Sequence, residues 1–298
     1  MATKTTTAKG RASSSASRAG TRKKPSSRSS NKASTGRKAG KSKSRKAERP
    51  RGRRVLTLLV GVALLFLFWR LFIRPELNRP TYGTEAYHVR IPDGYAVHGI
   101  DISHHQGDID WQKLSALQQA DIPIRFVFIK ATEGGDHKDR LFDDNFAAAR
   151  EQGFIRGAYH FYNPATDPVV QADFFISHVQ LEKGDLPPVI DVEKAPSRLQ
   201  QPTFYAQLSI FLYRLEAHYG VRPIIYTSYK FKERYLDVPE LDRYPLWIAH
   251  YHVAHPGYQG DWLFWQHTDR AVLPGIDEKT DLNVFHGSLK ELQALTLP

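Results

Sequence analysis

From residue 97 onward the chain repeats one unit, a short run rich in branched and aromatic residues followed by a stretch with helical spacing. The runs are VHGIDIS (97–103), RFVFIKAT (125–132), IRGAYHFY (155–162), LPPVIDVE (186–193), RPIIYTS (222–228), PLWIAHY (245–251), DWLFWQHT (261–268) and TDLNVF (280–285). A helix between two strands carries the chain back across the sheet, so consecutive strands run parallel with helices packed outside. Punctuation supports the helices. Asp108 and Asp110 stand ready to cap DIDWQKLSALQQA, Pro168 opens the helix that stops at Gly184, and Thr203 and Gly220 bracket another. Eight runs predict an α/β fold, an irregular TIM-like barrel of eight strands. Helical spacing thins after the fifth run, so fewer than eight helices are expected. An open doubly wound sheet fits the same periodicity.

Charge divides the chain into two parts. Of 42 Lys and Arg, 19 lie in residues 1–54 against a single acid, Glu48, so that segment carries +18 while the remainder is at −7. Residues 1–54 hold no aromatic residue and almost nothing branched to bury, and are expected to be a disordered basic tail. Such a tail suits anionic lipid headgroups or, through salt-sensitive contacts, nucleic acid. Next comes VLTLLVGVALLFLFWRLFI (55–73), polar only at Thr57 and Arg70. Its length matches a bilayer core, and the basic flank predicts a single-pass transmembrane signal anchor with a cytoplasmic N-terminus. That places the later residues on the extracytoplasmic side of the cytoplasmic membrane. Pro75, Pro80, Pro92 and Gly94 mark 74–94 as a linker, leaving 95–298 as the exported domain. The chain has no cysteine, so this domain is held by its core and not by disulfides.

The ends of the strand runs carry the chemistry. Asp191 and Glu193 stand two residues apart, hence on one face of a strand, at its C-terminal end. In a parallel barrel that end forms the catalytic rim. Asp101, Glu133, Tyr159, Tyr162, Tyr226, Trp247, Trp265, Gln266 and Asp281 fall at or near other run ends. Acids beside aromatic rings suit a sugar site: carboxylates do the proton and charge work of glycosidic cleavage, and rings pack on sugar faces. A lone acid at a strand end also serves as a helix cap or turn residue, and rings also serve as core. Two like charges set side by side are harder to explain structurally, because burying both is costly. His104–His105 and His250, His252, His255 raise a metal reading. With no H-E-x-x-H string, neither a metal nor any other cofactor is expected. The G-x-S-x-G and P-loop strings are absent as well.

Eight segments in order carry a resemblance: HGIDISHHQGDIDW (98–111), FVFIKATEGGDHKD (126–139), GAYHFYNP (157–164), PPVIDVE (187–193), IIYTS (224–228), LWIAHY (246–251), FWQHTD (264–269) and DLNVF (281–285). Together they resemble the glycoside hydrolase family 25 lysozymes, the muramidases, across about residues 95–290. The resemblance implies hydrolysis of the β-1,4 bond between N-acetylmuramic acid and N-acetylglucosamine in peptidoglycan. It implies Glu193 as general acid, Asp191 as its partner, Asp101 and Asp281 as further active-site acids, and Tyr159 and Tyr226 beside the substrate. Two acids on one strand differ from the usual retaining pair, which faces the sugar from opposite sides. This favours a route in which Asp191 assists the substrate's own acetamido group; a direct nucleophile or an inverting water remain open. A barrel hydrolase of chitin-like glycans and a non-catalytic peptidoglycan tether are the rival readings.

Overall fold

A computed structural model describes residues 51–70, 83–197 and 203–298. Residues 1–50 of the expected tail and the first part of the expected linker lie outside them. A helix, α1 (Arg51–Phe68), opens the described chain. It starts four residues before the expected boundary, so Arg51–Arg54 are helical and not part of a disordered tail. Its side chains from Leu58 to Phe68 are exposed apart from Gly61. No helix among the described residues is long and apolar enough to cross a membrane. Residues 71–73, the end of the expected anchor, fall outside those described.

The second half of the expected linker is folded. Strands β1 (Thr84–Ala86) and β2 (Val89–Ile91) pair antiparallel around Tyr87 and His88, both at positive φ (53° and 59°). That twist closes a two-residue hairpin, although neither residue is a glycine. Contacts from the barrel hold it: Tyr87 Oη donates to Ile122 O, Val272 N donates to Tyr87 O at 3.0 Å, and Ile91 is buried. The prolines that suggested a linker do bound the hairpin, but its packing partners lie far along the chain.

The barrel follows. Its strands are β3 (Val97–Ile102), β4 (Ile124–Glu133), β6 (Ile155–Phe161), β7 (Val189–Asp191), β8 (Ile224–Ser228), β9 (Leu246–Ala249), β10 (Phe264–Ala271) and β11 (Thr280–Phe285). A two-residue strand, β5 (His137–Lys138), hangs on the end of β4. The sheet closes because β3 pairs with both β4 and β11. Closure excludes the open doubly wound alternative. Helices α2 (Trp111–Ser115), α3 (Phe142–Glu151), α4 (Pro168–His178) and α5 (Phe204–Tyr219) connect the first five barrel strands, and a short α6 (Tyr229–Phe231) follows β8. With the terminal α7 (Leu289–Leu295), seven helices are described in all. As the sequence pattern implied, helices are missing between β9, β10 and β11.

Cap chemistry follows the sequence in part: the helix opened by Pro168 ends at His178, six residues before Gly184, and the Thr203 side chain makes no capping bond to α5. Asp110 accepts from Lys113 N at 3.1 Å, Asp167 accepts from Val169 N and Val170 N ahead of Pro168, and Gly220 ends α5 at φ 70°. One strand departs from the parallel expectation. β11 runs antiparallel to both neighbours, β10 and β3. Only a short loop joins β10 to β11, and a connection without a helix returns the chain antiparallel.

The interior is aromatic. Phe126, Phe128, Trp247 and Phe264 fill it, with Trp247 stacked on Phe128 at 4.5 Å between ring centroids. Two glycines make that filling possible. A Cβ at Gly99 would lie 2.4 Å from Phe126 Cδ2, and one at Gly157 would lie 2.6 Å from Phe128 Cδ1. Both rings are fully buried and have nowhere to go. Gly99→Ala is expected to destabilise the fold by about 1–3 kcal/mol through overpacking. A urea midpoint unchanged from wild type would contradict this.

Candidate active site

The carboxyl ends of the parallel strands surround an open cleft of about 270 Å³. Asp191 ends β7. The chain stays extended past it because Tyr162 N donates to Asp191 O, Val192 N to Tyr226 O, and Thr227 Oγ1 to Val192 O (2.7–2.9 Å). Val192 therefore points out into the helical layer, while Asp191 and Glu193 both line the cleft. Asp101 reaches it from β3. Asp281 reaches it from the start of β11, directly opposite Asp101 in the antiparallel register. The reversed strand thus brings an N-terminal residue to the rim where the other strands bring C-terminal ones.

A hydrogen-bonded floor fixes Asp101. Its Oδ2 accepts from Gln266 Nε2 and Asn283 Nδ2, both at 2.7 Å. Gln266 Oε1 accepts from Tyr226 Oη (2.7 Å) and Tyr251 Oη (2.6 Å), and Asn283 Oδ1 accepts from Trp247 Nε1 (2.8 Å). Trp247 is 2% exposed, so it supports the floor through this bond and offers little open ring face. Tyr159 and Phe161, both from β6, complete the wall.

Three expected residues stand outside the cleft lining. Tyr162 lies on the other face of β6 from Phe161, packed against Phe204 and Phe211 in the helical layer. Trp265 precedes the inward Gln266 and so faces outward, donating to His250 O at 2.9 Å beside Tyr95 and Trp262. Strand alternation allows only one of two adjacent residues to enter the barrel. Glu133 stands at the end of β4, outside the cleft lining, and accepts from Lys130 Nζ at 2.8 Å. Sequence reading passed over Tyr251, Phe161 and Asn283. Asn283 was accessible, since it shares a strand face with Asp281 two residues away.

Four carboxyls in one small space cannot all lose their protons at neutral pH. Burial, opposed by the bonds from Asn283 and Gln266, raises Asp101 to about 6. Burial and then the charge of Asp101 raise Asp281 to about 9. Burial and the neighbouring Glu193 hold Asp191 well above the usual carboxylate range. Burial and Asp101 also raise Glu193. Glu193 is exposed to cleft solvent, which screens it more than the other three. The site is thus built to keep protons on some of its acids.

Residues 100–276 match the model of Glycosyl hydrolases family 25. The chain belongs to this family. It is similar to the protein YegX of Escherichia coli strain K12, 40% identical over 211 residues that cover 70% of this chain and 77% of YegX. It is also similar to Lysozyme M1 of Streptomyces globisporus, 33% identical over 217 residues, 68% of this chain and 72% of that protein. Among solved structures, the bacterial lysozyme from Streptomyces coelicolor superposes with a TM-score of 0.62 at 33% identity, covering 68% of this chain and 98% of that one. The protein is therefore a glycoside hydrolase, and the closed barrel with its helix deficit is the fold of a family 25 enzyme.

The acids of this family 25 site cost stability. Asp281 has a folded pKa near 9 against an ordinary 3.8, so the folded state binds an extra proton between those values and loses stability as pH rises through them. Asp281→Asn removes that cost. At pH 7.5 its Tm is expected to rise by roughly 3–6 °C, with the gain vanishing below about pH 4. A pH-independent gain in thermal melts would contradict the assignment. Of the histidines considered for a metal, His104 lies against His105 with ring centroids 4.1 Å apart and bonds Asp139, and His250 bonds Pro256 O. Among the described residues no group of three or more ligating side chains gathers.

Proposed function

We propose that the protein is a muramidase that hydrolyses the β-1,4 bond between N-acetylmuramic acid and N-acetylglucosamine in peptidoglycan. Glu193 is the general acid that protonates the leaving oxygen, and Asp191 assists the 2-acetamido group as that group attacks the anomeric carbon. One observation carries this reading. Asp191 Oδ1 is buried at the cleft and has no hydrogen-bond partner among the described residues. A buried acceptor left without a donor is costly, and an acetamido N–H supplied by the sugar would satisfy it. Attack by the acetamido oxygen forms a positively charged ring, which an Asp191 carboxylate stabilises. The elevated pKa of Glu193 suits an acid that must keep its proton. Membership in a family that includes Lysozyme M1 supports the substrate class.

Digesting peptidoglycan and soluble chitin fragments side by side tests the reading. Fragments from peptidoglycan alone, with the β-anomer appearing first by NMR and no cleavage of de-N-acetylated strands, are the expected results. Cleavage of chitin alone would favour the rival hydrolase, and binding without cleavage would favour the tether.

We further propose that residues 55–73 anchor the enzyme in the cytoplasmic membrane as a single pass, with the basic tail inside and the barrel on the extracytoplasmic side. The exposed apolar surface of α1 from Leu58 to Phe68 and the +18 charge of residues 1–54 support this reading. The tail's charge suits anionic lipid headgroups at the inner leaflet. Retention of the full chain in carbonate-washed membranes is the expected result, and release into the wash would contradict it.

A further inference from the structure

The catalytic reading leaves a buried charge beside the cleft without a role. Lys130 points into the barrel from β4, where its strand register places it beside Tyr159 of β6. Its side chain is only 11% exposed, and a lysine held there without purpose is costly. Its ammonium donates to Glu133 Oε2 at 2.8 Å and lies 5.2 Å from the centroid of the Phe161 ring. Phe161 belongs to the cleft wall, and the register row through it runs from Glu133 on β4 to Asp191 on β7. The Lys130–Glu133 pair therefore borders the Asp191 side of the cleft, two strands from that carboxyl.

We propose that Lys130, tethered by Glu133, is a positioning residue that loosens the hold of Asp191 on its proton and so favours its carboxylate form beside the substrate. This rests on the reading of Asp191 as the acetamido-assisting group. The charges around Asp191 leave it short of cations. Glu193 faces it from its own strand, Asp101 from β3 and Asp281 from β11, with the neutral phenols of Tyr159 and Tyr226 on the flanking strands. Lys194 and His137 are exposed at the mouth, where solvent screens them. Unlike these two, Lys130 is shielded from solvent, so its field reaches Asp191 less attenuated than theirs. It opposes the effect of burial, Glu193, Asp101 and Glu133, all of which hold a proton on Asp191. Glu133 has two effects: it fixes the ammonium and also tempers its field. Tethered this way, Lys130 does not swing across to pair directly with Asp191 and compete with the sugar.

Charge removal and charge release are predicted to act in opposite directions. In full-length protein labelled with [13C]carboxyl aspartate, with the Asp191 resonance assigned through Asp191→Asn, the titration midpoint is expected to rise in Lys130→Met. It is expected to return toward wild type in Lys130→Arg and to fall in Glu133→Gln. On peptidoglycan, Lys130→Met should lose about tenfold in kcat/KM on the acid side of the profile and much less near its optimum, the size expected of one unit charge at this range. A purely structural lysine would lower kcat/KM at every pH, leave the Asp191 midpoint in place, or move it the same way in both Lys130→Met and Glu133→Gln; any of these overturns the proposal. If the wild-type protein cleaves no peptidoglycan, the catalytic reading fails, and the NMR midpoints still decide whether Lys130 controls Asp191.

Discussion

Glu193→Gln is expected to lower kcat/KM on peptidoglycan by about 10²–10⁴-fold while leaving glycan binding nearly intact. The substitution keeps the side chain's size and its place at the cleft, but the amide has no proton to give the departing oxygen. Every other acid lining the cleft is committed. Asp101 accepts two hydrogen bonds from the floor, Asp281 sits opposite it across the β3–β11 register, and Asp191 ends β7 two residues before Glu193. Because Glu193 is one of a coupled set, removing its charge should also move the titration of Asp191, whose raised pKa depends on Glu193 after burial. The residual activity of the variant should therefore show a different pH profile, not a scaled copy of the wild-type one. Undiminished turnover in Glu193→Gln would remove the general acid from this account.

Asp185→Ala carries the largest expected effect on stability. Asp185 and Arg156 form a buried pair, with side chains 3% and 6% exposed. Arg156 Nε and Nη2 donate to the two carboxylate oxygens at 2.8 and 3.1 Å, and Nη1 donates to Phe146 O at 2.6 Å. The guanidinium also lies 3.7 Å from the centroid of the Phe146 ring. Asp185 in turn accepts from Glu182 N at 2.8 Å, tying the chain after α4 to the start of β6. Removing the carboxylate strands a charge inside the protein, which costs about 3–5 kcal/mol. In a domain of this size that is a Tm loss of roughly 10 °C. The pair lies near the beginning of β6, whereas the cleft gathers at strand ends, so kcat per folded molecule should be unchanged. A Tm within a degree or two of wild type would show that the pair is solvated in solution.

Much of this molecule was legible from strand alternation. The i, i+2 rule placed Asp191 and Glu193 on one face, and the cleft contains both. The same rule, applied residue by residue, separates Gln266 from Trp265 and Phe161 from Tyr162. Gathering every polar or aromatic residue near a strand end includes the outward ones. Asp281 reaches the rim for a reason local pattern does not contain. It begins its strand, and only the antiparallel pairing of β11 with β3 brings it opposite Asp101. The hairpin at 84–91 was hidden because its partners, Ile122 and Val272, are distant in sequence and its turn lacks the glycine that announces such turns. Lys130 was missed because a buried lysine looks like any other lysine until its surroundings are known.

The central claim is tested most directly by the reducing ends that the full-length protein leaves on purified peptidoglycan, identified by mass spectrometry after borohydride reduction. Fragments ending in reduced N-acetylmuramic acid, and absent with Glu193→Gln, are the predicted result. Fragments ending in reduced N-acetylglucosamine, or intact glycan strands, would contradict a muramidase built on Glu193 and Asp191.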